Sequence, residues 1–266
     1  MSVLLRKVDS HRVLERSVRE YLYDGKDLRI PIINESLDGR MYKSGIIMDV
    51  FYDYFDDVIK IARRLAEEKG DPVTCYKGCD ICCHQPVSSA LEEALLIYLF
   101  LRDNDDITKL ALSKYDDWRK LAGSVEEYDI GMRESMIAGL SGKRGLSDDT
   151  VRYIEKYNAK NNPCPFLSEH VCTIYPVRPV ACRNMLSLDD PEMCKGEIVH
   201  FLVSGDVNEA VLKATPLCQS IKEVLELKAQ PRGMVQILVR ELLKKEGKYI
   251  TDYKKLMDQY PSLWKG

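Results

Sequence analysis

Cysteines are concentrated in two blocks of the sequence. The first block has the spacing Cys-x3-Cys-x2-Cys-Cys and consists of Cys75, Cys79, Cys82 and Cys83. The second block is rich in proline, and its cysteines are Cys164, Cys172 and Cys182. Thiolates at such spacing are typical ligands of zinc and of iron–sulfur clusters. We therefore predict that these seven thiols converge on one metal or iron–sulfur centre.

The local sequence of each block suits such a centre. If residues 79 to 83 are helical, the three later cysteines of the first block share one helix face. Gly78 allows a sharp turn beside them. In the second block, the prolines between residues 161 and 191 exclude a long helix and stiffen an irregular loop. A stiff loop loses less entropy when it closes around a metal.

The number of thiols bears on the identity of the metal. A closed structural zinc site takes four ligands, whereas the excess of thiols here favours an iron–sulfur cluster or a polynuclear site. We expect an iron–sulfur cluster, with 4Fe–4S favoured and zinc as the alternative. The Cys-x3-Cys-x2-Cys spacing also fits radical S-adenosylmethionine enzymes, although those enzymes place it in a repeated βα barrel, a pattern absent from this sequence. S-adenosylmethionine is therefore a candidate cofactor for an iron with an open position.

Five residues near the blocks have two interpretations each. Arg178 and Arg183 are the candidate cofactor-binding residues, because guanidinium groups bind anions or cluster sulfurs, but they could equally pair with helix carboxylates. His84 is either a ligand or proton donor, or a helix cap, and the cap is favoured. Cys194 and Cys218 have weaker local context and are more typical of small buried side chains than of ligands.

Helical periodicity dominates the rest of the chain and predicts a mostly α protein. The fold that we expect is a single helical domain, with the proline-rich cysteine loop closing over the metal site. Its parts are N-terminal helices and an arm over residues 1–70, a cysteine core over 71–200 and C-terminal helices over 201–266. Predicted helices span 10–24, 45–68, 94–101, 107–121, 126–139, 148–158, 207–229 and 233–246.

Several boundary signals accompany these helices. Ser88 or Ser89 with Glu92 or Glu93 forms a capping-box pattern, and Ser147 or Asp148 caps the helix at 148–158. Residues 26–44 lack a helical period and predict an extended arm. Pro216 is expected to interrupt the helix at 207–229.

Composition excludes several classes of function. The 266 residues include 45% hydrophobic and 30% charged residues with a net charge of -3, which is globular and gives no basic field for nucleic acid. An N-terminal apolar run cut short by Arg6 and Lys7 and the lack of a membrane-length apolar segment predict a cytoplasmic protein without a membrane partner. Nine cysteines in that compartment favour metal ligation over disulfides.

The two blocks together resemble the YkgJ-type cysteine-cluster family, which is described as chelating zinc or iron. The resemblance rests on the first block and on Cys164-Pro-Phe-Leu, Cys172-x-Ile-Tyr and Arg178-Pro-x-x-Cys182-Arg183 in the second. It covers about residues 75 to 185. The sequence departs from the family pattern by having three residues, rather than two, between the first two cysteines. Flagellin lysine N-methylases are similar in both blocks. The resemblance therefore implies methylation of a protein substrate. The alternatives are an electron-transfer or sensor module with a fully ligated cluster and a redox partner, and a zinc-binding structural or interaction protein.

Overall fold

A computed structural model describes residues 2–28, 37–123, 128, 131–132, 147–195, 202, 205–225 and 232–244. Its helices are α1 (Ser2–Asp24), α2 (Leu37–Glu68), α3 (Leu91–Arg102), α4 (Asp105–Ala122), α5 (Asp148–Asn158), α6 (Val180–Asn184), α7 (Gly205–Val224) and α8 (Val235–Lys244). Its short strands are β1 (Ser88–Ala90), β2 (Leu167–Ser168), β3 (Val171–Cys172) and β4 (Arg232–Met234). The prediction of a mostly α protein is confirmed.

The chain forms two compact units that are each discontinuous in sequence. The first unit combines Met1–Pro72 with Leu202–Gln230, and the second combines Val73–Phe201 with Pro231–Gly266. The three-part division of the chain proposed from the sequence stays a prediction. None of the helices in the described ranges is long and apolar enough to cross a membrane.

The first unit packs α2 between α1 and α7. Leu14, Val18 and Leu22 of α1 are almost completely buried, as are Ile47, Phe51 and Phe55 of α2 and Leu217 and Ile221 of α7. Their spacing of three and four residues gives each helix one apolar face, and burial of these faces is what holds the three helices together. Gly70, with φ of +86°, ends α2 as the sequence predicted.

Two predictions for this unit are wrong. Helix α2 begins at Leu37, so the arm expected over residues 26–44 is helical from that point; residues 29–36 of it lie outside the described residues. Met41 is buried, so tertiary packing outweighs the weak local pattern. Pro216 lies inside a continuous α7. Leu212, whose carbonyl loses its helical partner, is 71% exposed, so water can take that hydrogen bond.

The second unit has an aromatic core behind the cysteines. Its buried residues are Trp118, Ala122, Tyr128, Tyr153, Tyr157, Met234 and Ile237. The Trp118 indole N–H donates to the Tyr157 hydroxyl at 2.8 Å, and the Tyr153 hydroxyl donates to the Ala122 carbonyl at 2.8 Å, so the polar atoms of these rings are satisfied. Strand β1 pairs antiparallel with β4, with Ser89 opposite Gly233, and so joins α3 to α8.

Most of the predicted helices of this unit are confirmed. Helix α4 covers 107–121, and α5 has the predicted bounds, with the Ser147 hydroxyl accepting from the Thr150 amide at 3.3 Å. Helix α8 begins two residues later than predicted. Most of the segment expected at 126–139 lies outside the described residues. The capping box is only half formed, because the residue before α3 is Ala90, whose methyl group cannot accept a hydrogen bond.

One carboxylate caps two helices of the second unit. Glu93 is 8% exposed, and its two oxygens accept from the Ala90 amide at 3.0 Å and from the Val180 amide at 2.7 Å. These amides lie at the N-terminal ends of α3 and α6, where the helix dipole also stabilises a negative charge. Glu93 thereby fixes α6, which includes Cys182, to α3.

Candidate metal centre

The first cysteine block folds as a turn followed by a short 3₁₀ helix, Ile81–His84. Gly78 has φ of +94°, a conformation that favours glycine, and it reverses the chain directly before Cys79. Cys79 therefore precedes the helix, and only Cys82 and Cys83 lie on it. The helical face expected to unite all three cysteines is replaced by this turn. The turn is closed by the Cys79 amide, which donates to the Tyr76 carbonyl at 3.1 Å.

The second block is organised by a two-residue hairpin. Strands β2 and β3 pair Leu167 with Cys172, and the turn between them is Glu169-His170. Both turn residues have positive φ, +49° and +61°, as a type I′ turn requires. The Thr173 amide donates to the Phe166 carbonyl at 2.8 Å and closes the hairpin beyond its strands. The hairpin thus brings the segment after Cys164 alongside Cys172.

Three cysteines share one hydrogen-bond pattern. In each case the amide of the residue two positions later in the chain donates to the sulfur: Ile81 to Cys79, Phe166 to Cys164 and Ile174 to Cys172. Burial raises the pKa of each of these thiols, and the N–H group opposes that rise. Amide donors to sulfur are the outer-shell contacts that stabilise thiolate ligands of metals. Both blocks are therefore shaped locally to hold thiolates.

Five thiols from both blocks lie together, and we call them the inner thiol group: Cys82, Cys83, Cys164, Cys172 and Cys182. The blocks are joined directly, because the Cys164 amide donates to the Cys83 carbonyl at 2.9 Å. The hydrogen bond to Cys82 and burial raise the pKa of Cys83, and burial raises the pKa of Cys182. Repulsion from Cys164 and Cys172 adds to both, so these sulfurs are electrostatic neighbours.

Three thiols lie beside this group, and we call them the outer thiol group: Cys75, Cys79 and Cys194. Ser187 contacts two of them, since its amide donates to Cys75 Sγ at 3.2 Å and its hydroxyl is hydrogen-bonded to the Cys194 side chain. Repulsion from Cys75, Cys82 and Cys194 adds to the burial that raises the pKa of Cys79. The structure thus places Cys194 among the cysteines of the first block, although its sequence context favoured a small buried side chain.

A cation stabilises negative charge in the inner thiol group. The hydrogen bond from Cys83 and then the Arg178 guanidinium lower the pKa of Cys82 to about 7. Arg178 also acts on Cys172 and Cys182, in opposition to the burial that raises the pKa of each. Its guanidinium stacks 4.0 Å from the centre of the Tyr175 ring. Its Nε is buried and has no hydrogen-bond acceptor, so the donor remains available to an anion held by these thiols.

The second candidate arginine has a structural position. Arg183 is 3% exposed, and its guanidinium donates to the Arg178 carbonyl at 2.8 Å and to the Pro176 carbonyl. Two further candidates from the sequence are His84 and Cys218. His84 has Nδ1 3.2 Å from the Asn161 carbonyl oxygen. Cys218 belongs to the other compact unit, in α7.

The sequence reasoning missed two residues that contact the thiols. Gln236 of α8 is 1% exposed, and its Nε2 donates to Cys164 Sγ at 3.4 Å. A single glutamine inside the apolar run Val235–Val239 was a usable signal, because polar side chains are buried only when they have a partner. Ser187 gave no signal, because its contacts depend on the pairing of its backbone with Thr74, whose amide donates to the Ser187 carbonyl at 2.9 Å.

The donor chemistry of both groups fits a metal held by thiolates. The amide donors and the Arg178 guanidinium favour the deprotonated form that binds metal, whereas burial and repulsion between neighbouring thiols oppose it until a metal cation is bound. The sulfurs are not disposed around a common point: among the residues that the structure describes, no three His, Cys, Asp or Glu side chains could hold a metal ion as they stand. Metal binding therefore requires thiol side chains to rotate toward one another.

A cleft of about 900 Å³ runs beside the thiols. Cys164 of the inner thiol group and Cys194 of the outer thiol group both line it. On its wall, Asp80 Oδ2 lies 2.8 Å from His170 Nδ1 and 3.8 Å from His84 Nε2. A carboxylate between two imidazoles can hold a proton or a cation, so the cleft places acid–base groups next to sulfur ligands.

Comparison with known proteins places these residues in a family. The family model CxxCxxCC, described as a "putative zinc- or iron-chelating domain", matches residues 74–218, more than half of the chain. The chain belongs to the CxxCxxCC family. The matched region of this CxxCxxCC protein includes both cysteine blocks together with Cys194 and Cys218. The curated proteins give no match to the chain, and neither do the solved structures.

Proposed function

We propose that the protein binds an iron–sulfur cluster, of the 4Fe–4S type, through thiolates of the inner thiol group. The observation that supports this most is the meeting of the two cysteine blocks, since the Cys164 amide is hydrogen-bonded to the Cys83 carbonyl and five thiols lie together. A 4Fe–4S cluster takes four thiolates. Cys83, Cys164, Cys172 and Cys182 would hold it, and Arg178 would offset its negative charge.

The contacts around the sulfurs favour iron–sulfur over zinc. Amide and side-chain N–H donors from Phe166, Ile174 and Gln236 point at sulfur atoms. Hydrogen bonds to sulfur and partial burial are the features by which proteins set the potential of an iron–sulfur cluster. Zinc as a structural metal is the second candidate. It is favoured by the largely irregular backbone between α5 and α6, which a closed four-thiolate site would fold and stabilise.

We further propose that a substrate reaches the centre through the cleft. An iron–sulfur cluster would supply electrons. Binding of a cofactor such as S-adenosylmethionine would in addition require one of the four thiolates to leave its iron. The chain itself would supply proton transfer from the His170–Asp80 pair and would close off water with Trp118 and Leu121 of the cleft wall. Methyl transfer to a protein lysine is one reaction of this kind, and a simple electron carrier is the competing proposal.

Anaerobic purification followed by iron, sulfide and zinc analysis tests the choice of metal. We expect a brown protein with sulfide equal to iron. The triple substitution of Cys164, Cys172 and Cys182 by alanine should remove the inner cluster, whereas Cys218→Ala should leave it intact. Full metal content after the triple substitution would contradict the proposal, and zinc without sulfide in the anaerobic protein would favour the structural alternative.

A second experiment separates an enzyme from an electron carrier. S-adenosylmethionine is added to the reduced, cluster-loaded protein, and the electron paramagnetic spectrum of the cluster is recorded. A changed spectrum is expected if one iron is open to the cleft. An unchanged spectrum, together with no consumption of S-adenosylmethionine, would favour the carrier.

A further inference from the structure

The eight thiols of the second unit are more than one four-thiolate centre requires. Five belong to the inner thiol group and three to the outer thiol group, and Cys82 is an electrostatic neighbour of both. Zinc and 4Fe–4S centres each take four thiolates. If Cys82 is counted with the outer thiol group, the thiols divide evenly into two complete sets.

The backbone around Cys194 is built to present this side chain to the first block. Cys194 lies on the 3₁₀ helix Pro191–Lys195, which packs against the 3₁₀ helix Ile81–His84. The Gln85 side chain donates to the Cys194 carbonyl at 3.3 Å and ties the two short helices together. Cys194 is therefore held beside the first block by packing and by a specific hydrogen bond.

Ser187 lies beside both Cys75 and Cys194 of the outer thiol group. Its amide donates to Cys75 Sγ at 3.2 Å, and its hydroxyl is hydrogen-bonded to the Cys194 thiol. Ser187 is 1% exposed, so its amide is shielded from water and directed at sulfur, while its hydroxyl donates to the Asp189 carbonyl at 3.1 Å and lies beside the Cys194 thiol. With the Ile81 amide on Cys79, two of the three sulfurs of the outer thiol group have an N–H donor, and the third has a neighbouring hydroxyl. Such donors stabilise thiolate ligands, as they do in the inner thiol group.

We propose that Cys75, Cys79, Cys82 and Cys194 form a second four-thiolate metal site, beside a first site formed by Cys83, Cys164, Cys172 and Cys182. This inference rests on the proposed metal-binding function and adds Cys194 as a ligand. The adjacent residues Cys82 and Cys83 then serve different metals. Their thiols are hydrogen-bonded to each other in the structure, and this bond would be lost when both are deprotonated. The rotation of about 120° between neighbouring residues of a 3₁₀ helix would then let the two sulfurs turn apart.

Metal counting on matched cysteine variants tests the two-site arrangement. Reduced protein is reconstituted anaerobically with ferrous iron and sulfide, and iron and sulfide are measured per chain. The wild type should hold about eight iron atoms if both sites carry 4Fe–4S clusters. Cys194→Ala and Cys182→Ala should each lose about half of the iron, and the double variant nearly all of it. Cys218→Ala is the control and should retain the wild-type content.

Each other outcome overturns the inference in a recognisable way. If Cys194→Ala keeps the full wild-type content, there is no second site, although the proposed iron–sulfur function stands. If Cys194→Ala alone loses all of the iron while its helical circular dichroism is unchanged, the thiols form one shared site. If the wild type binds no iron, both the function and the second site are wrong.

Thiol protection in the unmodified protein gives a test that does not depend on the folding of a variant. Loaded and unloaded wild type are alkylated with iodoacetamide, and each cysteine is followed by mass spectrometry. Loading should slow alkylation of Cys75, Cys79 and Cys194 together, with no change at Cys218. Alkylation of Cys194 at the same rate in both samples would contradict its role as a ligand.

Discussion

Glu93 offers a sharp test of how the second unit positions a cysteine. Its two carboxylate oxygens accept from amides at 3.0 and 2.7 Å that begin α3 and α6, and the side chain is 8% exposed. Hydrogen bonds to a charged group contribute about 1.5–3 kcal/mol each. Glu93→Gln keeps one acceptor oxygen but directs an NH₂ group at the second amide. We therefore expect the variant to lower the free energy of opening of these helix ends by about 2–3 kcal/mol.

Hydrogen exchange followed by mass spectrometry measures this loss where it occurs. A change of 2–3 kcal/mol corresponds to exchange that is roughly 30- to 150-fold faster, in peptides containing the Ala90 and Val180 amides. Because α6 includes Cys182, alkylation of that cysteine should accelerate in the same variant.

Asp103→Asn is the matched control for Glu93→Gln. Asp103 lies at the opposite end of α3, its side chain is 73% exposed, and a negative charge there has no favourable interaction with the helix dipole. Its exchange should change little. Equal exchange in the two variants would refute the double cap, because it would mean that the buried carboxylate contributes no more than an exposed one.

Further predictions concern the core, a turn and the metal. Tyr157→Phe should lower the free energy of unfolding in urea by about 1–3 kcal/mol, because it leaves the buried Trp118 indole N–H without an acceptor. Tyr153→Phe should lower it by about 1 kcal/mol, and an equal loss in the two variants would contradict this. Burial raises the pKa of Tyr157 above its ordinary 10.0, so the folded state holds the proton more tightly and stability should fall as the pH rises above about 10, less steeply in Tyr157→Phe. Gly78→Ala should destabilise by about 1 kcal/mol through its φ of +94°, whereas Gly205→Ala, with no positive φ, should not; similar melting temperatures would contradict it. Removing the metal with a chelator should lower the melting temperature in scanning calorimetry, and an unchanged transition would show that the metal does not stabilise the fold.

Capping residues and apolar periodicity predicted the helices well where tertiary packing favours the same helix bounds. Helix α5 has its cap at Ser147 and its bounds as expected, because the cap and the apolar period lie within the same few residues. The start of α2 was missed because the burial of Met41 is decided by contacts with the rest of its unit. Pro216 within α7 was missed for the same reason, since the packing of Leu217 and Ile221 compensates for the lost hydrogen bond.

The cysteines of the candidate centre could be predicted from the sequence, but their division into the inner and outer thiol groups could not. Residue type and spacing indicated the seven block cysteines, and the structure places all of them in the second unit. Which sulfurs are neighbours depends on backbone contacts between distant segments, such as Cys164 with Cys83 and Thr74 with Ser187. No local pattern encodes such contacts, so the place of Cys194 beside the first block became visible only in three dimensions, whereas Gln236 had a signal in its apolar sequence context.

The interleaving of the two units has a consequence for synthesis on the ribosome. Helix α7, which completes the apolar core of the first unit, is translated only after the whole cysteine segment, and α8 with Gln236 follows later still. Neither unit can therefore finish folding as its first residues emerge. The nascent chain must keep its thiols reduced and its early helices soluble until almost all of it has been made, so delivery of metal is expected to be a late event.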